Sequence, residues 1–205
     1  MIAEKKPRIG PKAPANVPEY MICEIMDGKP LYYKGYRDVL LGKKTFGEIV
    51  GSSRLQSFIV MYLVRVLVTK LSEDEYVLFS SELGLHLDRG NNLSGDIVIY
   101  EAATMPPEAI NEYYSDIPAK VCIDVDISID TADTGEESYL YKKTQKLLAF
   151  GMEKVIWITT TSKKVTIATA GHPWLVIDWD QNIDILDGIT VNIGRYLADR
   201  GVVVN

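Results

Sequence analysis

The first part of the chain after Pro18 has the pattern of a β-hairpin. Residues Glu19 to Met26 predict a first strand, and Pro30 to Tyr33 predict a return strand. Between them, Asp27-Gly28 is a strong signal for a tight turn joining two antiparallel strands.

Residues Thr45 to Leu71 have a helical rather than an extended pattern, which predicts one long or broken helix. Apolar residues recur there at intervals of three and four positions: Leu55, Ile59, Tyr62, Leu63 and Val66. Further apolar residues widen this stripe, so we expect the helix to be covered on most of its sides. Gly47 and Gly51 predict an irregular start.

The remaining pattern is that of short strands interrupted by a second helix. The predicted strands cover residues 76–80, 83–88, 97–100, 121–127, 155–159, 164–169 and 174–177. A loop with one helical turn is expected over 104–117, an amphipathic helix over Ser138 to Phe150 with Gly151 as its C-cap, and a terminal helical turn over Ile193 to Ala198. This order predicts an α/β fold: a mixed β-sheet packed on a long helix, with an N-terminal hairpin and extra C-terminal strands.

The length of 205 residues fits one domain, which we place at 18–205. Residues 1–17 combine Pro7, Pro11 and Pro14 with several basic side chains, and we expect an extended or flexible arm. No apolar run is long enough for a membrane span, and no secretory leader pattern is found, so we expect a cytoplasmic protein.

Charge and composition narrow the chemistry. The net charge of −6 argues against a simple basic-patch DNA-binding protein, although carboxylates that hold cations would contribute to that charge. Two histidines are too few for a histidine metal site, and no serine lies in a nucleophile elbow. The two cysteines lie in separate apolar segments without metal-ligand spacing, and we expect buried, reduced thiols.

Three acidic residues interrupt apolar strands, where an uncompensated charge is unfavourable. Asp96 precedes Ile-Val-Ile-Tyr, and Asp124 and Asp126 fall within the strand predicted at 121–127. Residues two apart in a strand share a face, so Asp124 and Asp126 should repel each other unless a cation or hydrogen-bond donors lie between them. Oxygen ligands favour Mg²⁺ or Mn²⁺ over zinc. The alternatives are that Asp96 is a turn residue and that the other two lie on a solvated sheet face.

The order of these motifs resembles the Uma-type restriction endonuclease family of the PD-(D/E)XK nuclease superfamily. The resemblance spans about residues 18–198. It is carried by Glu24-Ile-Met-Asp27-Gly28, Leu93-Ser-Gly-Asp96-Ile-Val-Ile, Pro118-Ala-Lys-Val-Cys-Ile-Asp124-Val, Lys143 followed by Leu147-Leu-Ala-Phe-Gly151, and Leu186-Asp-Gly188-Ile-Thr-Val. It implies a restriction endonuclease-like fold and metal-dependent hydrolysis of phosphodiester bonds in DNA.

The resemblance also implies roles for individual residues. Asp96 matches the first metal-ligating acid, Asp124 the second acid, Lys143 a helix lysine, and Glu24 an acid of the opening hairpin that joins the site. We expect Asp96, Asp124 and Asp126 to bind Mg²⁺ or Mn²⁺, with Asp126 as a ligand of a second ion or of a bound water.

The chain departs from the family pattern at several positions. Gly95 stands where the superfamily motif has proline, Asp124 where this family usually has Glu, and Asp126 where the motif lysine would stand. The lysine must therefore come from the helix, where Lys142 and Lys146 compete with Lys143.

Three functions remain open from the sequence. The first is a DNA endonuclease, with a possible homodimer forming the DNA cleft. The second is a catalytically inactive module on the same fold that binds nucleic acid or protein. The third is a metal-dependent hydrolase of another phosphate ester, because a fold does not determine a function.

Overall fold

A computed structural model describes residues 16–204. Its strands are β1 (Ile22–Met26), β2 (Lys29–Tyr32), β3 (Tyr76–Asp88), β4 (Asn91–Glu101), β5 (Val121–Val125), β6 (Lys154–Thr159), β7 (Lys164–Thr169), β8 (Leu175–Asp178), β9 (Ile183–Leu186) and β10 (Ile189–Val191). Its helices are α1 (Tyr36–Leu40), α2 (Arg54–Lys70), α3 (Glu136–Phe150) and α4 (Ile193–Asp199). The predicted arm at 1–17 falls almost entirely outside the described residues.

One large mixed sheet organises the fold, which confirms the predicted fold class. Its order is β2-β1-β4-β5-β6-β7-β8, and β3 pairs with β4. Strands β5 and β6 are parallel, and α3 makes the crossover between them; the other strand pairs within residues 16–204 are antiparallel. Strands β9 and β10 form a separate two-stranded hairpin.

Strand β4 changes partner along one of its edges. Strand β3 pairs with it from residue 91 to residue 101 and so occupies one edge. Strands β1 and β5 share the other edge: β1 meets it at Asn92, and β5 meets it from Ile97 to Ile99. Between these two pairings, residues 93–96 have an edge on which side chains can take the place of a neighbouring strand.

Apolar layers cover both faces of the sheet. Helix α2 buries Ile59, Leu63 and Leu67 against one face, together with the β9–β10 hairpin and α4. Helix α3 covers the other face, where Leu147 packs near Trp157.

The predicted covering of α2 on most of its sides is wrong. Met61 and Val68 are 49% and 59% exposed, because the sheet contacts only the face that carries Ile59, Leu63 and Leu67.

Several element boundaries differ from the sequence prediction for local reasons. The predicted long or broken helix is broken: a 3₁₀ turn covers Phe46–Glu48, and α2 begins at Arg54, where the Ser53 side chain caps it by accepting from the backbone N–H of Gln56. Strand β5 ends at Val125, since Asp126 has a left-handed backbone with φ of 61°. The short helix α1 is absent from the prediction.

No helix within residues 16–204 is long and apolar enough to cross a membrane.

We expect Gly95→Ala to destabilise the protein by about 1–3 kcal/mol through overpacking. A Cβ at Gly95 would lie 2.7 Å from Cys122 Sγ and 2.9 Å from Val98 Cγ2. Gly47→Ala is the matched control, because nothing lies within 4 Å of the added Cβ there. Urea unfolding compares the two variants, and equal stability would contradict this account.

Candidate active site

The candidate site lies where β4 exchanges β1 for β5. The backbone N–H of Ser94 donates to Glu24 Oε1 at 3.0 Å, and that of Asp96 donates to Asp124 Oδ1 at 3.4 Å. In return, Asp96 Oδ2 accepts from the backbone N–H of Val125 at 2.7 Å. Carboxylates from β1, β4 and β5 therefore bind the backbone where regular strand pairing is interrupted.

Glu24 is held by donors on both of its carboxylate oxygens. Besides the Ser94 backbone, Oε1 accepts from Ser94 Oγ at 3.1 Å and from Lys143 Nζ at 2.8 Å, while Oε2 accepts from the Tyr139 hydroxyl at 2.6 Å. Glu24 is 3% exposed. These bonds fix its orientation and make it a positioning residue for Lys143.

Lys143 is the helix lysine that enters the site. Its side chain is 3% exposed, and its ammonium lies 2.8 Å from Glu24 Oε1 and 3.2 Å from Asp124 Oδ2. The competing lysines lie outside: Lys142 is exposed, and Lys146 pairs with Asp27 at 2.5 Å. Gly151 ends α3 in the left-handed conformation, as predicted, which leaves Lys143 in the middle of a regular helix.

One carboxylate oxygen in the site has a charge beside it but no hydrogen bond. Asp124 Oδ2 is buried, and although Lys143 Nζ is 3.2 Å away, no donor within residues 16–204 reaches it in hydrogen-bond geometry. A cavity of about 20 Å³ lies beside it, lined among others by Glu24, Asp96 and Asp124. A volume of this size accommodates about one water molecule or one ion.

The charges around Lys143 are not balanced. Burial raises the pKa of Asp124 to about 7; Lys143 opposes this shift, and the nearby Asp96 and Glu24 carboxylates add to it. Burial also raises the pKa of Asp96, against the bond from the Val125 N–H. Burial alone would lower the pKa of Lys143, but Asp124 and Glu24 outweigh it and raise that pKa well above its usual value. The Lys143 ammonium therefore stays charged. The raised pKa values of Asp96 and Asp124 mean that these carboxyl groups keep a proton to a higher pH than usual.

Two further residues reach the site without a motif to mark them. Ser81 and Glu82 form a bulge in β3 with φ of 69° and 58°, which directs Glu82 toward the cavity that it helps to line. Although Glu82 as a residue is exposed, burial of its carboxyl group raises its pKa. Gln56, buried at the start of α2, lies close enough to the Asp96 carboxyl group to lower its pKa, against the effect of burial. The signal available in the sequence was the polar break at residues 80–82 between two apolar strand patterns.

Asp126 does not share a strand face with Asp124, because β5 ends before it. Its carboxylate oxygens accept from the Thr160 backbone N–H and from Thr160 Oγ1, both at 2.7 Å. Asp126 still borders the cavity, and its role as a metal ligand stays a prediction. Within residues 16–204, no group of three or more His, Cys, Asp or Glu side chains is arranged to hold a metal ion. Metal binding by Asp96 and Asp124 likewise stays a prediction.

Comparison with solved structures places this architecture beside a known one. The chain is similar to a crystal structure described as "a putative nuclease belonging to DUF820" from Anabaena variabilis ATCC 29413, with a TM-score of 0.63 and 15% sequence identity. The similarity covers 89% of this chain and 93% of that one. At this identity it shows a shared fold, consistent with the restriction endonuclease-like fold. Comparisons with protein-family models and with curated proteins give no match.

We expect Lys143→Met to destabilise the protein at pH 8 by about 3–5 kcal/mol, because it leaves buried carboxylates without their counter-charge. Lys142→Met is the matched control on the neighbouring exposed position, with an expected change within about 0.5 kcal/mol. Urea unfolding measures the stability of both variants. A Lys143→Met protein as stable as the Lys142→Met control would disprove the role of Lys143 as the counter-charge of the buried carboxylates.

The raised pKa of Asp124 also predicts a pH dependence of stability. The unfolded carboxyl deprotonates near its ordinary value of 3.8 and the folded one near 7, so the folded state binds more protons between them. Without divalent ions, stability should therefore decrease as pH rises from about 4 to 7. Asp124→Asn removes this titration, so we expect its stability relative to the parent to be higher at pH 8 than at pH 5. Urea midpoints at both pH values test this, and a constant difference would refute it.

Proposed function

We propose that this chain is a metal-dependent endonuclease that hydrolyses phosphodiester bonds in DNA. The observation that carries the proposal is the meeting of Asp96, Asp124 and Lys143 at one cavity, where Asp124 Oδ2 has no hydrogen bond. The fold shared with a protein described as a nuclease agrees with it.

The charge of the site suits a divalent cation. Glu24, Asp96 and Asp124 carry three negative charges when ionised, and Lys143 supplies one positive charge. Glu82 and Asp126 line the same cavity and add to this excess of negative charge, so an added charge of +2 offsets it and opposes the raised pKa of Asp124. Mg²⁺ commonly uses one or two carboxylates and keeps several waters, so Asp96 and Asp124 are sufficient ligands for Mg²⁺ or Mn²⁺. When bound, the ion would supply Lewis-acid polarisation and charge neutralisation at the phosphoryl group.

The protein's own residues stabilise charge and position one another in the site. Lys143 keeps its proton and cannot serve as a general base, so its role is to stabilise negative charge that develops on the phosphate oxygens. Glu24 holds the ammonium in place, and Tyr139 and Ser94 hold Glu24. Gln56 lies beside the Asp96 carboxyl group at the start of α2. The hydrogen bonds to Glu24 and Lys143 are formed before substrate arrives, as electrostatic stabilisation requires.

A neighbouring groove gives the substrate backbone a path to the site. This groove of about 270 Å³ is lined by Lys34 and Lys44 and also by the carboxylates of Glu48, Asp126 and Glu136, and Asp126 borders the small cavity as well. Lys34 pairs with Glu136 and Lys44 with Asp38, so a DNA phosphate would exchange with these carboxylates for the two ammonium groups. The predicted homodimer remains an additional way to form such a cleft.

The test is cleavage of supercoiled plasmid in Mg²⁺ or Mn²⁺. We expect Asp124→Asn to lower the cleavage rate by about 100-fold or more, and EDTA to abolish cleavage. Asp199→Asn, on the exposed surface of α4, is the matched control and should cleave like the parent. Calorimetric titration with Mn²⁺ gives a second readout, in which Asp124→Asn should weaken binding and Asp199→Asn should not.

The outcomes separate the candidate functions. Cleavage that neither EDTA nor Asp124→Asn affects would place the activity elsewhere or in a contaminant. Mn²⁺ binding without cleavage of DNA or RNA would favour another phosphate ester as substrate. Neither binding nor cleavage, by protein shown to be folded, would favour the inactive interaction module.

A further inference from the structure

An open cavity beside the candidate site is lined by side chains of a different chemistry. It has a volume of about 550 Å³ and is bordered by His86, Asn92, Asn111, Tyr113, Tyr114 and Asp116. Tyr113 is 76% exposed and Tyr114 is 58% exposed. Two neighbouring tyrosines with more than half of their surface exposed add little to the packing of the core, which points to a role in binding.

The loop that carries these tyrosines is fixed to β3 rather than free. The Ser115 carbonyl oxygen accepts from the His86 backbone N–H at 2.8 Å, and the Ser115 N–H donates to the Gly84 carbonyl oxygen at 2.9 Å. The loop therefore extends the sheet. The Tyr113 N–H donates to Asn111 Oδ1 at 2.8 Å, which holds the turn before the tyrosines. The cavity wall is therefore formed before a ligand binds.

Strand pairing places this wall next to the candidate site. The Tyr114 ring covers Gly84 so closely that a Cβ there would lie 2.5 Å from the ring. Gly84 pairs with Ser94, and directly paired residues share a face of the sheet. The Tyr114 ring therefore lies on the face to which Ser94 directs its side chain, and Ser94 Oγ holds Glu24. His86 and Asn92 form the next pair on that face, two residues further along the same two strands.

The lining favours the uncharged part of a nucleotide. Among residues 16–204 the lining contains no lysine or arginine and includes the exposed carboxylate of Asp116, which would repel a phosphate. Tyrosine rings stack on nucleobases of any type, and amide and carboxylate groups hydrogen-bond to base edges. A carboxylate accepts specifically from an exocyclic amino group, such as that of cytosine.

We propose that this cavity binds an unpaired nucleobase of the nucleic-acid substrate, stacked on Tyr113 or Tyr114, with its exocyclic amino group donating to Asp116. The inference rests on the proposed function, because it assigns the cavity to a segment of the same substrate. A base inside a duplex has its faces and its pairing edge occupied. The cavity therefore selects single-stranded or locally opened substrate.

The experiment measures equilibrium binding of fluorescently labelled short single strands by anisotropy, in EDTA and low salt so that no cleavage is required. We expect the parent to bind oligo-dC more tightly than oligo-dT, and both more tightly than a duplex of the same length. Tyr113→Ala should weaken binding of the single strands about 10-fold or more, and Tyr113→Phe should retain it. Tyr141→Ala, which removes a tyrosine exposed to 52% on α3, is the matched control.

Asp116→Ala tests the predicted hydrogen bond and should abolish the preference for oligo-dC over oligo-dT while leaving oligo-dT binding unchanged. Single strands that do not bind, or that bind Tyr113→Ala and Tyr114→Ala as tightly as the parent, would overturn the proposal. Tyrosine-dependent binding by a protein that cleaves no nucleic acid would keep this inference and refute the endonuclease. Plasmid cleavage without tyrosine-dependent binding would support the endonuclease and overturn this inference.

Discussion

The structure depends on the placement of one ammonium group among buried carboxylates. Lys143 is the counter-charge for Glu24 and Asp124, and all three are almost fully buried. A buried charge without a partner is far less favourable than a paired one. The pairing therefore fixes α3 against β1 and β5 more specifically than apolar packing alone. It also leaves the site with an excess of negative charge, which favours the proposed binding of a cation.

The second constraint is the interrupted edge of β4. A continuous neighbour strand would satisfy the backbone of residues 93–96 and leave no room for side chains. Because β1 and β5 each pair with only part of the edge, carboxylates from both strands complete its hydrogen bonding. The same gap positions Glu24 and Asp124 on either side of Asp96. The topology of the sheet and the chemistry of the site thus have one origin.

Much of this arrangement was accessible from the sequence, because acids inside apolar strands and a helix lysine before a glycine leave visible signals. The strand and helix order followed from hydrophobic periodicity, whereas Lys143 was assigned through the family resemblance, with Lys142 and Lys146 as alternatives. The polar break at residues 80–82 was visible, but the approach of Glu82 to the site was not, since it depends on a bulge with two left-handed residues, which no periodicity encodes. Strand alternation predicted that Asp126 shares a face with Asp124. That prediction is wrong because β5 ends at Val125, one residue before Asp126. Backbone irregularities of this kind depend on tertiary contacts that a local pattern does not contain.

The sequence separation of the site residues has a consequence for the order in which the molecule assembles. Glu24 and Lys143 lie 119 positions apart, so their contact closes a loop that contains most of the sheet. Contacts of such long range form late, because the loss of chain entropy precedes the gain from the contact. During synthesis, a chain that ends before α3 has all three carboxylates but lacks the ammonium that neutralises them. Burial of these carboxylates between β1, β4 and β5 is therefore less favourable until α3 supplies its ammonium. The helix thus contributes to the closure of the sheet through its charge as well as through its apolar face.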